Sequence, residues 1–118
     1  MYKIRYYKTS TGHQPIRDFL QKFIDNNKQN ELDQIKLMID NLGKYGFEIN
    51  SHSPNSIKKV QGEIWELRPG SNRILYFYLE DNTYILLHGF VKRTQKTPKK
   101  EIEKALIEAK DCKRRNSK

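Results

Sequence analysis

Arg68, Arg73, Lys92, Arg93 and Lys96 are the residues of this chain whose types and spacing suit a chemical task. Arginine offers a planar fork of N–H donors that matches two oxygens of a phosphate. The same fork can neutralise the extra charge of a pentacoordinate phosphorus transition state. Where the phosphodiester belongs to RNA, the neighbouring 2′-hydroxyl is a built-in nucleophile. A protein then has to supply only alignment, charge stabilisation and proton transfer.

Proton transfer has three candidates. Glu66 and His88 are expected on the same sheet face as the cations, and a lysine crowded by other cations is the third. Glu66 equally suits an ion pair with Arg68 or Arg73, and His88, among Leu86, Leu87 and Phe90, equally suits a satisfied core position. Residue types alone therefore fit a protein that cleaves RNA, one that only binds it, or one whose basic face meets an acidic protein.

The elements that must position these groups lie between Glu63 and Lys104. Glu63 to Arg68 reads as a strand, and Pro69-Gly70-Ser71-Asn72 as a turn. Arg73 to Leu79 is an aromatic and aliphatic run with strong strand preference. Asp81-Asn82 provides a second turn, since both residue types tolerate positive φ. A third strand runs from Tyr84 to about Val91 and ends in Lys92-Arg93-Thr94-Gln95-Lys96. Thr97-Pro98 reads as an N-cap followed by proline at the first helical position.

Strict alternation places Glu66, Arg68, Arg73, Leu75, His88, Phe90 and Lys92 on one face of this sheet. Trp65, Leu67, Ile74, Tyr76, Ile85, Leu87 and Val91 fall on the other. Arg93 falls opposite Lys92 unless the strand ends or bulges first. The polar members of the first face gather at one end, beside the Pro-Gly turn.

Upstream, Tyr2, Ile4 and Tyr6 alternate with Lys3 and Arg5 as in a strand. Pro15 opens a helix whose Ile16, Phe19, Leu20, Phe23 and Ile24 form one apolar stripe. Leu32, Ile35, Met38, Ile39 and Leu42 mark a second helix, with Gly43 and Gly46 placed to stop it. Residues 47–61 read as irregular. Within them Lys59 is assigned to the edge of the sheet as an RNA contact, together with Gln95 and Lys96, and Lys58 to a solvated loop. Ile102, Ala105, Leu106 and Ala109 share one face of a final helix ending near Lys113.

The whole is a single α+β domain, residues 1–113, followed by a basic mobile tail, 114–118. Its expected core is a small twisted antiparallel sheet with two N-terminal helices on one face, plus a C-terminal helix.

Composition narrows the partners. With 118 residues the chain suits one domain. Its net charge of +9 points to an anionic partner, nucleic acid ahead of a membrane surface. His13, His52 and His88 are far apart, and no cysteine pair or HExxH spacing marks a metal site. Neither a glycine-rich phosphate loop nor a GxSxG turn is present, so no metal or other cofactor is expected. The single cysteine, Cys112, sits among cations near the C-terminus and fits a reducing compartment. No apolar run suits a membrane span or a signal peptide, and the expected location is the cytoplasm.

The segments Ile64-Trp65-Glu66-Leu67-Arg68, Asn72-Arg73-Ile74-Leu75-Tyr76 and residues 87–98, ending in Thr94-Gln95-Lys96-Thr97-Pro98, resemble the RelE/HigB superfamily of type II toxins. Within it the likeness is to the phage-derived HigB-like branch. The resemblance implies a RelE-like fold and a metal-independent endoribonuclease that cleaves mRNA on the ribosome. It also implies a cognate helix-turn-helix antitoxin, HigA-like, in a heterotetramer that binds operator DNA. Carried over by position, Arg73 holds the scissile phosphate, and Arg68 matches the arginine ending the preceding strand. Lys92 and Arg93 match a basic pair that serves transition-state charge or leaving-group protonation. Some superfamily members carry strand lysines where this chain has Ile64 and Glu66, or a tyrosine near the C-terminus, where this chain has none after Tyr84.

Overall fold

The computed structural model describes residues 1–116. Strand β1, Lys3–Tyr6, leads into helix α1, Pro15–Asp25, with Pro15 in its first turn as expected. Helix α2, Gln29–Tyr45, follows, then a 3-10 turn, Gly46–Glu48, and the short helix α3, Ile49–His52. Strands β2, Ile57–Gln61, β3, Ile64–Leu67, β4, Asn72–Tyr78, and β5, Thr83–Val91, complete the sheet before helix α4, Lys99–Asn116. The strand order is β1-β5-β4-β3-β2.

The sheet is mixed, not wholly antiparallel. Strands β2 to β5 are antiparallel, whereas β1 lies parallel to β5 with Tyr6 opposite Leu86. A strand so far along the chain from its neighbour has no hairpin to force the antiparallel sense, and alternation carries no sign of direction.

Residues 57–61, expected to be irregular, form an edge strand. Asn50 brackets its start: the side-chain amide donates to the Ile57 carbonyl at 3.1 Å, and the Ile57 N–H donates back to Oδ1 at 3.0 Å. Lys58 and Lys59 hid this strand by breaking the apolar alternation, as charged residues commonly do on sheet edges. The hairpin to β3 turns at Gly62, whose φ is 57°. Asp81 and Asn82 turn β4 into β5 with φ of 52° and 57°, as their types implied.

Helices α1 and α2 cover one face, where Ile16, Phe19, Phe23, Leu32, Ile35 and Leu42 pack on Leu67, Ile74, Tyr76, Tyr84 and Leu86. Helix α4 covers the other, with Ala105, Ala109 and Cys112 against Ile64, Leu75, Phe77, Ile85 and Leu87. Ile85 and Leu87 thus face α4, contrary to the strict alternation. The cause is a β-bulge: Leu75 is opposite His88 while Tyr76 is opposite Leu86, so Leu87 and His88 both face α4.

Two other expectations shift. Helix α2 runs through Gly43 and ends at Gly46, whose φ is 59°. Gly43 instead lets β1 approach; its carbonyl accepts from the Tyr2 N–H at 2.7 Å. Helix α4 continues past Lys113 to Asn116, so part of the expected tail is helical, and Ser117 and Lys118 lie outside the described residues.

Two predictions follow from this packing. A Cβ on Gly89 would lie 2.5 Å from the Phe19 ring. Gly89→Ala therefore should destabilise the fold by about 1–3 kcal/mol in urea denaturation, as overpacked cores do. The second concerns alkaline pH. Tyr84 is pushed up to about 12, by burial first and then by the neighbouring Tyr2 phenol; Tyr7 is pushed up to about 12 by burial and by its hydrogen bond to Asp111. Folding favours the neutral phenol, so this stability is intact below pH 10 and is lost as pH rises from there through 12. Phenolate absorbance should rise together with unfolding across that window.

Candidate functional site

Glu66 lies near the end of β3, on the α4 face, with 2% of its surface exposed. Its Oε2 sits 3.4 Å from Arg68 Nε and 3.8 Å from Arg73 Nε. Its Oε1 accepts a hydrogen bond of 2.5 Å from the Thr97 hydroxyl. Thr97 was expected to cap α4; the Pro98 carbonyl instead accepts the first helical bonds, from the Glu101 and Ile102 N–H groups. The Thr97 hydroxyl donates instead to the carboxylate.

Arg73 stands beside Asn72 at the start of β4. Its Nη1 donates to the Gly70 carbonyl at 2.7 Å and to the Asn72 carbonyl at 2.8 Å, so the guanidinium is held by the turn it emerges from. Gly70 takes the positive φ, 61°, that this turn requires. Burial lowers the Arg73 pKa from its ordinary value, Glu66 opposes that shift, and the Arg68 charge adds to it. Arg73 remains a cation at any physiological pH.

The Lys92 N–H donates to the Ser71 carbonyl at 2.8 Å, which fastens the exit of β5 to the Pro-Gly turn. As a result Arg73, Lys92 and Arg93 line one cleft of about 490 Å³ with Gly70, Ser71, Thr94 and Gln95. Among the described residues no acidic one lines it. Arg93 reaches this cleft because β5 ends at Val91, which frees the next residues from alternation. A second cleft of about 280 Å³ is lined by Lys58, Lys59, Lys92, Gln95, Lys96 and Thr97, with Glu66 among its walls. Lys92 and Gln95 border both.

The expected cations therefore converge. Arg73, Lys92 and Arg93 share the first cleft, Lys59, Lys96 and Gln95 reach the second, and Arg68 lines neither but stands beside Glu66. Sequence reasoning missed Lys58 and the second role of Thr97. Lys58 lies opposite Glu66 in the β2–β3 register, whereas Lys59 lies opposite Trp65. Recognising β2 as a strand would have put Lys58 on the face of the site.

His88 is not brought to either cleft. It is 3% exposed and clasped by α4: Nδ1 lies 2.6 Å from Glu108 Oε1, and Nε2 lies 3.0 Å from Glu101 Oε1. The two carboxylates meet opposite ring nitrogens, so they do not converge on one point as metal ligands would. Among the described residues no cluster of three or more histidine, cysteine or acidic side chains is arranged to hold a metal ion, and no helix is long and apolar enough to cross a membrane.

A mixed five-stranded sheet with helices on both faces and cations gathered at one edge defines a small α+β protein. The family model described as phage-derived protein Gp49-like (DUF891) matches residues 18–110, and the chain belongs to that family, a RelE/ParE-like toxin family. No curated protein matches the chain.

The anchoring histidine and the cleft cations differ in what they hold. His88→Leu leaves Glu101 and Glu108 without their ring-nitrogen partners beneath α4 and should cost about 1–3 kcal/mol of stability. Lys92→Ala removes a cleft cation and should change stability by no more than about 0.5 kcal/mol. Paired thermal and urea melts of the two variants check the contrast.

Proposed function

We propose that this protein is the toxin of a type II toxin–antitoxin pair, in the HigB-like branch, and that it cleaves mRNA on the ribosome without a metal ion. The observation that carries this reading is the meeting of Arg73, Lys92 and Arg93 in one acid-free cleft, in a chain of this toxin family. Arg73 and Arg93 bind the non-bridging oxygens of the scissile phosphate. The 2′-oxygen attacks phosphorus, the bond to the 5′-oxygen breaks, and a 2′,3′-cyclic phosphate remains. Lys92 donates the proton that the departing 5′-oxygen takes up, and the proton of the 2′-hydroxyl passes to solvent.

Glu66 and His88 take holding roles in this scheme: His88 lines neither cleft, and the Glu66 carboxylate is engaged by Thr97 and faces Arg68 and Arg73. Glu66 orients Arg68 and Arg73, and His88 anchors α4. Lys58, Lys59, Gln95 and Lys96 contact the strand beyond the scissile linkage. The partners are mRNA on the ribosome and a helix-turn-helix antitoxin of the HigA type, joined to the toxin in a heterotetramer on operator DNA. The setting is the cytoplasm.

The same engaged side chains favour a second reading, a non-catalytic RNA- or ribosome-binding module. Primer extension on mRNA from translating ribosomes separates the two. Wild-type protein should produce stops, and Arg73→Ala should reduce them by at least about 100-fold while ribosome binding persists. Absence of stops with wild-type protein, at full ribosome occupancy, would leave the binder.

A further inference from the structure

The loop between β5 and α4 carries Lys92, Arg93, Gln95 and Lys96, while Arg68 and Arg73 come from the sheet. Two separately built groups of cations must therefore be kept in register, and like charges push them apart. Within the loop itself, the Thr94 hydroxyl donates to the Lys96 carbonyl at 2.7 Å, a local bond that does not reach the sheet. At one end the Lys92 N–H bond to Ser71 fixes the chain. At the other, the side chain reaching a sheet residue of the site is Thr97, through its hydroxyl on Glu66 Oε1.

We infer that Thr97 is a positioning residue, the latch that sets the loop cations against the sheet arginines through Glu66. The inference rests on the catalytic reading above and assigns a role to a residue that reading leaves unused. Its geometry has two parts. The hydroxyl holds one carboxylate oxygen of a side chain that is 2% exposed, so the carboxylate plane cannot swing without breaking a part-buried hydrogen bond. The other oxygen faces Arg68 Nε and Arg73 Nε at 3.4 and 3.8 Å, and both nitrogens are buried without a hydrogen-bond partner. The carboxylate thus sets the field at both guanidinium groups, adding to the hold of the Gly70 and Asn72 carbonyls on Arg73, and Thr97 fixes its direction.

Losing the hydroxyl releases both sides together. The carboxylate is free to rotate under its arginines, and the loop end carrying Lys96 and Gln95 loses its tie to the sheet. Substrate capture depends on the summed charge of exposed lysines and tolerates such slack. Transition-state alignment does not, because a displacement near 1 Å can cost about a hundredfold in rate.

The test compares Thr97→Val, which keeps the shape and removes the hydroxyl, with Thr97→Ser, which keeps the hydroxyl. Cleavage of mRNA on programmed ribosomes should show kcat about 10- to 100-fold lower for Thr97→Val with KM within about twofold of wild type. Thr97→Ser should restore kcat to within about threefold of wild type. The Nε–Hε resonances of Arg68 and Arg73, observed in the free protein, should move in Thr97→Val and return in Thr97→Ser. Equal kcat in Thr97→Val and wild type overturns the latch, as does an equal loss in both variants. Wild-type protein that cleaves nothing, but whose arginine resonances follow this pattern, sinks the nuclease reading and leaves the latch standing. Unmoved resonances in a folded Thr97→Val variant overturn the latch whether or not the wild type cleaves.

Discussion

A buried carboxylate between two guanidinium groups governs the cationic end of this molecule. Without Glu66, Arg68, just past the end of β3, and Arg73 of β4 would be left together, with Lys58 across the β2–β3 register and Lys92 beyond the turn. Coulomb repulsion among such groups is strong where the sheet and α4 exclude water. One acid, 2% exposed and capped by the Thr97 hydroxyl, makes the cluster tolerable without cancelling it. The cluster keeps a surplus of positive charge at its rim, where Lys92, Arg93 and Lys96 meet solvent.

The rest of the fold serves to keep that end rigid. Strands β3, β4 and β5 supply Glu66, Arg73 and the approach to Lys92 from neighbouring positions, and backbone bonds at Gly70, Asn72 and Ser71 hold the turn between them. Helix α4 is drawn onto the same face by apolar packing of Ala105 and Ala109 and by the clasp of Glu101 and Glu108 on His88. That clasp places the start of α4, and with it Thr97, over Glu66. Anchoring and solvent-facing groups are thus separated in space: the histidine lies under the helix, and the lysines and Arg93 stand at the open edge.

Charge distribution adds a longer-range effect. A net charge of +9 gathered partly at one edge raises the local concentration of polyanions, and contact with phosphates releases their counterions. Such attraction is insensitive to base sequence. For the proposed nuclease, selectivity for one linkage would have to come from the shape of the clefts around Lys92 and Gln95, which border both.

Much of this was legible in the chain itself. The apolar stripes of α1, α2 and α4, the turns at Pro69-Gly70 and Asp81-Asn82, and the strands carrying Glu66, Arg73 and His88 follow from local periodicity and turn chemistry, which neighbouring residues encode. Identity and spacing likewise announced Arg73, Lys92 and Arg93 as a group. Four features depended on partners distant in sequence and so were settled only by tertiary structure. Strand β1 runs parallel to β5 because the interior, not a hairpin, chose its neighbour. Strand β2 exists because β3 offers an edge and Asn50 brackets Ile57. The bulge that turns Leu87 and His88 to the same face arises from pairing between β4 and β5. The Thr97 hydroxyl donates to Glu66, 31 residues away, a contact that only folding brings within reach of a buried carboxylate.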